Sequence, residues 1–282
     1  MSDQIFQKFA EDLFTSILEL DPQTGSWLGL HEYDCKIGDL SEEGMKNEIE
    51  IYKNHYSGLM SISRDGLSRI NKYDYDMAKW AIESALFQLE EIKSYNHNPR
   101  FYISVFSSLD NYVKREYAPF DERLKSIISI MERIPESLKA AEKNLGNSIP
   151  SVFCKYAKHS ALGFEDFFQH KLHTEITERT QDRDLISRYE KASAEAVKAF
   201  EEFSKFIDGA NSESDESYRL GKDKFLKMLK ITEHIDLPIE ELKRMGTAEL
   251  NRLQFEMNRI LKENDFEGKL DTLEHTHPNE DN

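Results

Sequence analysis

The sequence predicts an all-α fold, an irregular multi-helix bundle of about nine helices, some of them kinked by proline. Three observations lead there. Apolar residues recur every three or four positions through most of the 282-residue chain, which is helical spacing. Glycine and proline are scarce, at 12 and 7 residues, too few for the turns that an all-β chain of this size requires. Charged residues reach 32% beside 39% hydrophobic, the balance produced by long helices that are apolar on one face and charged on the other.

The first helix is expected over about residues 3–20, with Ile5, Phe9, Leu13, Ile17 and Leu20 on its apolar stripe and Pro22 and Gly25 ending it. Residues 25–40 read as a long connection around Trp27, Gly29 and Gly38. Ser41 is placed to cap a second helix, with Glu42 and Glu43 in its positive first turn. Its stripe is Met45, Ile49, Tyr52, Tyr56 and Leu59. A third helix is expected from near Tyr73 to about Tyr95, with Met77, Trp80, Ala81, Ser84 and Phe87 on one face, broken by residues 96–99. Residues 101–115 read two ways: Tyr102, Ile103, Val105 and Phe106 suit a strand, while the flanking pattern is helical.

Pro119 starts the next helical run, from Leu124, Ile127, Ile128 and Met131 through Ile134, Leu138, Ala141 and Leu145. Pro135 inside that run should kink or split it. Pro150 suits a first helical residue, with Ser148 as its cap, ahead of Phe153, Tyr156, Ala157, Phe164 and Phe167. A long helix over 182–207 carries Leu185, Tyr189, Ala192, Ala196, Phe200, Phe203 and Ile207. Residues 209–217, GANSESDES, form a weak joint too polar to bury. Helices near 218–230 and from Pro238 onward follow, the last bearing Leu242, Met245, Leu250, Leu253, Met257 and Ile260. Gly268 falls near its expected end, and residues 274–282 read as a frayed tail. No repeat of constant period occurs, so residues 1–282 read as a single helical region.

The formal charge of −16 repels phosphate backbones, and the longest basic run, Lys222, Lys224, Lys227 and Lys230, reads as a solvated helix face. Nucleic acid and anionic membrane surfaces are not expected partners. Residues 1–10 lack a basic region followed by an apolar run, and no stretch approaches the roughly 20 apolar residues of a spanning helix. Two cysteines, Cys35 and Cys154, without a CxxC motif fit a reducing cytoplasm.

Catalytic signatures are missing from the chain. The pair His31-Glu32 continues to Cys35 where a zinc-binding helix needs a second histidine, so a turn held by Asp34 is the simpler reading. His170 and His173 fall three apart on an expected helix with His159 a few turns earlier; they read as packed or exposed histidines, with a small metal site as the rival. His275 and His277 lie in the expected tail. Adjacent pairs such as Glu42-Glu43, Glu90-Glu91 and Glu201-Glu202 are expected on solvated faces of a chain with 53 acids. No GxSxG, P-loop or GxGxxG occurs.

Four ordered segments carry a resemblance. They are residues 29–34 (GLHEYD) with 39–42, residues 117–124 (YAPFDERL) with Ile134-Pro135 and 138–145, residues 218–225 (YRLGKDKF), and residues 242–257 including Met245-Gly246 and Glu249. In this order and spacing the chain resembles, over nearly its whole length, the N-terminal half of the DUF885 family of bacterial and archaeal proteins. Members look like helical zinc metallopeptidases about twice this length, with an HExxH-type helix in the C-terminal half. The resemblance therefore implies no catalytic residue and no metal ligand here; zinc is expected only with the C-terminal half. His31, Tyr33 and Asp34 match one family motif, and Tyr218, Arg219 and Gly221 match a second that the resemblance puts near the substrate cleft. A purely structural reading stands beside it: Gly221 for close helix packing, Tyr33 and Tyr218 as core, Asp34 fixing a turn.

The chain is accordingly expected to be the non-catalytic helical portion of a DUF885-like metallopeptidase, scaffolding and partly walling a peptide cleft. It should show no stoichiometric zinc and no peptidase activity alone, and should self-associate through an apolar face left uncovered. The alternative is a stand-alone acidic helical module that binds a protein or peptide in a groove without catalysis.

Overall fold

Helical periodicity becomes helix along most of residues 2–264, the part of the chain that the computed structural model describes. In order come α1 (Ser2–Leu20), α2 (Pro22–Trp27), α3 (Glu42–Met60), α4 (Arg69–Phe87), α5 (Arg100–Ser104), α6 (Leu109–Lys114) and α7 (Phe120–Met131). Then follow α8 (Ile134–Asn144), α9 (Ser151–Asp166), α10 (Leu172–Arg179), α11 (Arg183–Ala210), α12 (Gly221–Thr232) and α13 (Ile239–Glu263). A π-helical turn at Gln88–Ile92 prolongs α4, and another at Phe167–Lys171 joins α9 to α10. The fold is all-α. Thirteen helices among the described residues exceed the expected nine because α2 lies in the expected connection, α5 and α6 in the ambiguous stretch, and α10, with His173, is set off from α9 by a π-helical turn.

Side-chain caps set several starts. Ser41 Oγ accepts from the Gly44 N–H at 3.0 Å, Ser68 Oγ from Asn71, and Asp182 Oδ1 from Asp184 and Leu185. Ser68 places the start of α4 at Arg69, ahead of the expected Tyr73. Pro135 divides the expected run into α7 and α8, taking an early position in α8 where its missing N–H costs nothing. Ser148 does not cap α9. It donates to Asp215 Oδ2 at 2.9 Å, while Ile149–Pro150 (β1) pairs in parallel with Asn211–Ser212 (β2). That two-residue bridge, which no sequence pattern announces, holds part of the polar stretch 209–217 against the start of α9.

The chain divides into two units, one reaching Leu220 and one beginning at Gly221. In the first, α1, α3 and α4 pack together at the N-terminal end, and α11 packs against α7, α8 and α9. All seven residues of the expected α11 stripe are buried. The rings of Phe164 and Phe200 stack at 5.6 Å, and Phe106 meets both edge-on. On α1 the expected face turns inward: Leu13 is buried and Phe9, Ile17 and Leu20 pack against the core, Phe6 joining them while Ile5 is exposed. On α4 the stripe is rotated: Tyr75 and Ile82 are buried with the expected Phe87, and Met77 is exposed. That helix carries apolar residues on more than one face, so periodicity alone does not choose the face that meets a neighbour.

In the second unit, none of the residues of α12 or α13 is buried. Leu250, Leu253, Met257 and Ile260 form an exposed seam at three- and four-residue intervals along α13. Beside it, Glu249–Arg252 and Glu256–Arg259 pair on the helix surface. Gly268 and the expected tail, with His275 and His277, lie outside the described residues.

Candidate functional site

The connection expected around Trp27 folds into a cradle. Pro22 starts α2 with its φ already set for helix. Gly25 is buried against the Tyr33 ring, where a Cβ would stand 2.7 Å from Cδ2; glycine lets the chain double back there. Gly29 turns with φ +86°, a left-handed conformation that favours glycine. A 3-10 turn at His31–Tyr33 then delivers Asp34, 4% exposed, into the protein.

Asp34 is the centre of the site. His31 Nδ1 lies 3.0 Å from its Oδ2, and the Tyr117 hydroxyl donates to the same oxygen at 2.6 Å. The His31 and Tyr117 rings stack, with centroids 3.7 Å apart and planes 5° apart. Tyr117 comes from the loop before α7, and Arg123 holds that region in place. Its guanidinium, 2% exposed, donates to the carbonyls of Tyr112, Val113 and Ala118 at 2.6–2.9 Å. Burial first, and then the bond to Asp34, raises the Tyr117 phenol well above its ordinary pKa. Burial pushes Tyr112 up to about 12, the nearby Ser26 hydroxyl working against the shift and Asp34 adding to it. Both phenols therefore stay protonated at neutral pH.

These residues line a cavity of about 140 Å³, with Ser26, Trp27, Asp34, Tyr112, Arg115 and Tyr117 among its walls. Four buried side-chain polar atoms lack a hydrogen-bond partner among the described residues, and three belong to this wall: Ser26 Oγ, Asp34 Oδ1 and Tyr112 OH. Unpaired buried polar groups cost free energy, so their convergence on one cavity makes it the candidate site. A larger groove of about 940 Å³ runs between residues 38–43 and α8, rimmed by both carboxylates and lysines, and contains none of these unpartnered atoms.

Of the six residues singled out in the sequence, the fold brings His31, Tyr33 and Asp34 together at the cradle. Tyr218 and Arg219 do not line the cavity. Tyr218 is 39% exposed, its ring meeting the edge of Phe153, and Arg219 pairs with Glu216 at 3.0 Å. Tyr218 is therefore a surface residue, not core. Gly221 opens α12 with φ +73°, and a Cβ added there would meet nothing within 4 Å, so it serves backbone conformation, not close packing. His170 lies 3.2 Å from Asp166 on the surface, and His173 packs on Tyr189. Among the described residues no group of three or more His, Cys, Asp or Glu is placed to hold a metal ion, and His159, His170 and His173 form no such group. Sequence reasoning missed Ser26, Tyr112 and Arg115 as site residues. A buried acid needing donors signals that partners exist, but nothing local names Tyr117, 83 positions away.

A family model described as "Bacterial protein of unknown function (DUF885)" matches residues 22–281. The fold is similar to that of a solved structure described as "a putative lipoprotein of unknown function from Shewanella oneidensis". The TM-score is 0.76 at 20% identity, over 92% of this chain and 48% of that one. This chain thus spans about half the length of that structure. No curated protein matches. No described helix is long and apolar enough to cross a membrane.

Proposed function

This chain belongs to the DUF885 family, and on that footing we propose that it is the non-catalytic helical portion of a metallopeptidase-like hydrolase, scaffolding and partly walling a peptide cleft. The observation that carries the reading is the cavity beside Asp34, whose buried polar groups are held by a frame that Arg123 and Tyr117 make rigid. Such preorganised, incompletely paired groups suit recognition better than stability. The exposed seam of α13 further supports a scaffold that other polypeptide completes. The described residues do not assemble a zinc ligand set, so no step of catalysis is assigned to them. Zinc chemistry falls, on this reading, to residues of longer family members outside this chain.

The test is titration of N-acetylated, C-amidated tetrapeptides into the protein, followed by Trp27 fluorescence in a Trp80→Phe background and by amide NMR signals. Saturable change at residues 26–34 and 108–117 is expected. Change confined to other residues, or none, overturns the reading. The two free thiols, Cys35 and Cys154, support a cytoplasmic location. Recovery of the native protein from the membrane or secreted fraction would overturn that placement.

A further inference from the structure

We infer that the Asp34 cavity takes a primary ammonium group, the free amino terminus of a peptide or amino-acid amide. The inference rests on the peptide reading above for the identity of the ligand, and deepens it. Both donors that reach Asp34 bind one oxygen, Oδ2, which leaves Oδ1 as a buried anionic acceptor with no partner among the described residues. Asp34 is 4% exposed and Tyr112 3%, and both line the cavity. The Tyr112 and Ser26 hydroxyls stand beside it, Ser26 near enough to act on the Tyr112 phenol, and each can accept as well as donate. A primary ammonium brings a positive charge and N–H donors to the unpaired Asp34 oxygen, with hydroxyl lone pairs within the same wall to accept its other hydrogens. Tyr112, pushed up to about 12, remains a neutral phenol able to accept through its oxygen.

Other occupants fit less well. A divalent cation prefers six or more oxygen ligands and usually more than one carboxylate, whereas this wall offers one. At ~30 Å³ per water, the 140 Å³ holds roughly four or five waters, more than a bare ion needs and near the size of one small amino-acid unit. Trp27, 64% exposed, also lines the cavity, and an indole in the wall suits a cationic occupant. Arg115 also lines it; it donates to the Trp27 carbonyl at 3.4 Å and makes no ion pair among the described residues. Its guanidinium is available to the first carbonyl oxygen of a bound peptide.

The experiment titrates L-alaninamide, Ala-Ala-amide, and their N-acetylated counterparts into the full chain, with Trp27 emission and calorimetry as readouts. The free amines should bind at least about tenfold more tightly than the acetylated forms, since acetylation removes the charge and two of three donors. Asp34→Asn should abolish that preference, and Tyr112→Phe should weaken amine binding roughly three- to tenfold. If Asp34→Asn does not fold, Tyr112→Phe alone decides. Equal binding of free and acetylated peptides overturns the ammonium site and leaves the peptide wall standing. Binding of alaninamide without any peptide binding supports the ammonium site and overturns the peptide wall. No binding of any probe to folded protein overturns both.

Discussion

The imidazole of His31 lies flat against the phenol of Tyr117, 3.7 Å between centroids, while both rings reach the same oxygen of Asp34. Stack and hydrogen bonds can be separated by mutation. Tyr117→Phe keeps the stack and removes a bond to a buried carboxylate, so urea denaturation should show a loss of about 1.5–3 kcal/mol. His31, with 43% of its side chain exposed, should cost less on truncation to alanine, about 1 kcal/mol. The reverse ranking would mean that the stack, not the bond, positions Asp34.

Arg123 should matter more than any residue in the cavity wall. Replacing it with methionine leaves the carbonyls of Tyr112 and Ala118 without its guanidinium and leaves that of Val113 with only the Arg179 donor at 3.3 Å. A loss of at least about 3 kcal/mol is expected, with a shift in Trp27 emission as the 112–118 segment loosens. A loss under about 1 kcal/mol would show that water replaces the guanidinium at little cost.

Glu48, on α3, supplies a pH dependence. Burial first, and the charge of Asp21 second, raise its pKa from the ordinary 4.5 to about 7. Because the folded value lies above the unfolded one, Glu48 adds stability fully below about pH 4.5 and loses that contribution as pH rises through about 7. At about 1.4 kcal/mol per pH unit between the two values, the change is at most about 3.5 kcal/mol, less any solvent screening. Glu48→Gln should flatten the stability profile between pH 4.5 and 7 and make the protein more stable than the parent at about pH 8. An unchanged slope in thermal melts across that window would remove Glu48 from the account.

The exposed seam of α13 predicts binding of an apolar dye and self-association, both read against concentration by sedimentation. Leu253→Lys with Met257→Lys should cut dye emission by more than about half without lowering the melting temperature of the first unit. A monomer with no dye emission would mean that the seam is covered in solution.

Zinc added to the purified chain should bind below stoichiometric amounts and confer no peptidase activity, since no ligand group is assembled among the described residues. One zinc per chain together with peptide cleavage would overturn the non-catalytic reading.

Much of the helical layout is legible along the chain itself. Ser41, Pro119, Pro135 and Asp182 act at helix starts through their own side chains or rings, and such signals operate within three or four residues. The buried stripe of α11 is equally legible, because its apolar residues leave only one face to bury. The cradle is half legible: the sequence marks residues 29–34, and Asp34 as a turn-former, but not the cavity. The bridge between residues 149–150 and 211–212 is invisible there, since two residues carry no periodicity.

By itself the sequence determined an acidic all-α chain, the places where most of its helices begin, and its kinship with DUF885. Those properties depend on neighbours in sequence or on the whole composition. Tertiary structure decided which face of α4 turns inward, and that Asp34 meets Tyr117 across 83 positions while Ser26 and Tyr112 join it at one cavity. The reason is physical. A cap or a proline acts through bonds a few residues long, whereas a buried carboxylate takes its partners from whatever packing brings within about 3 Å, and that distance has no counterpart along the chain.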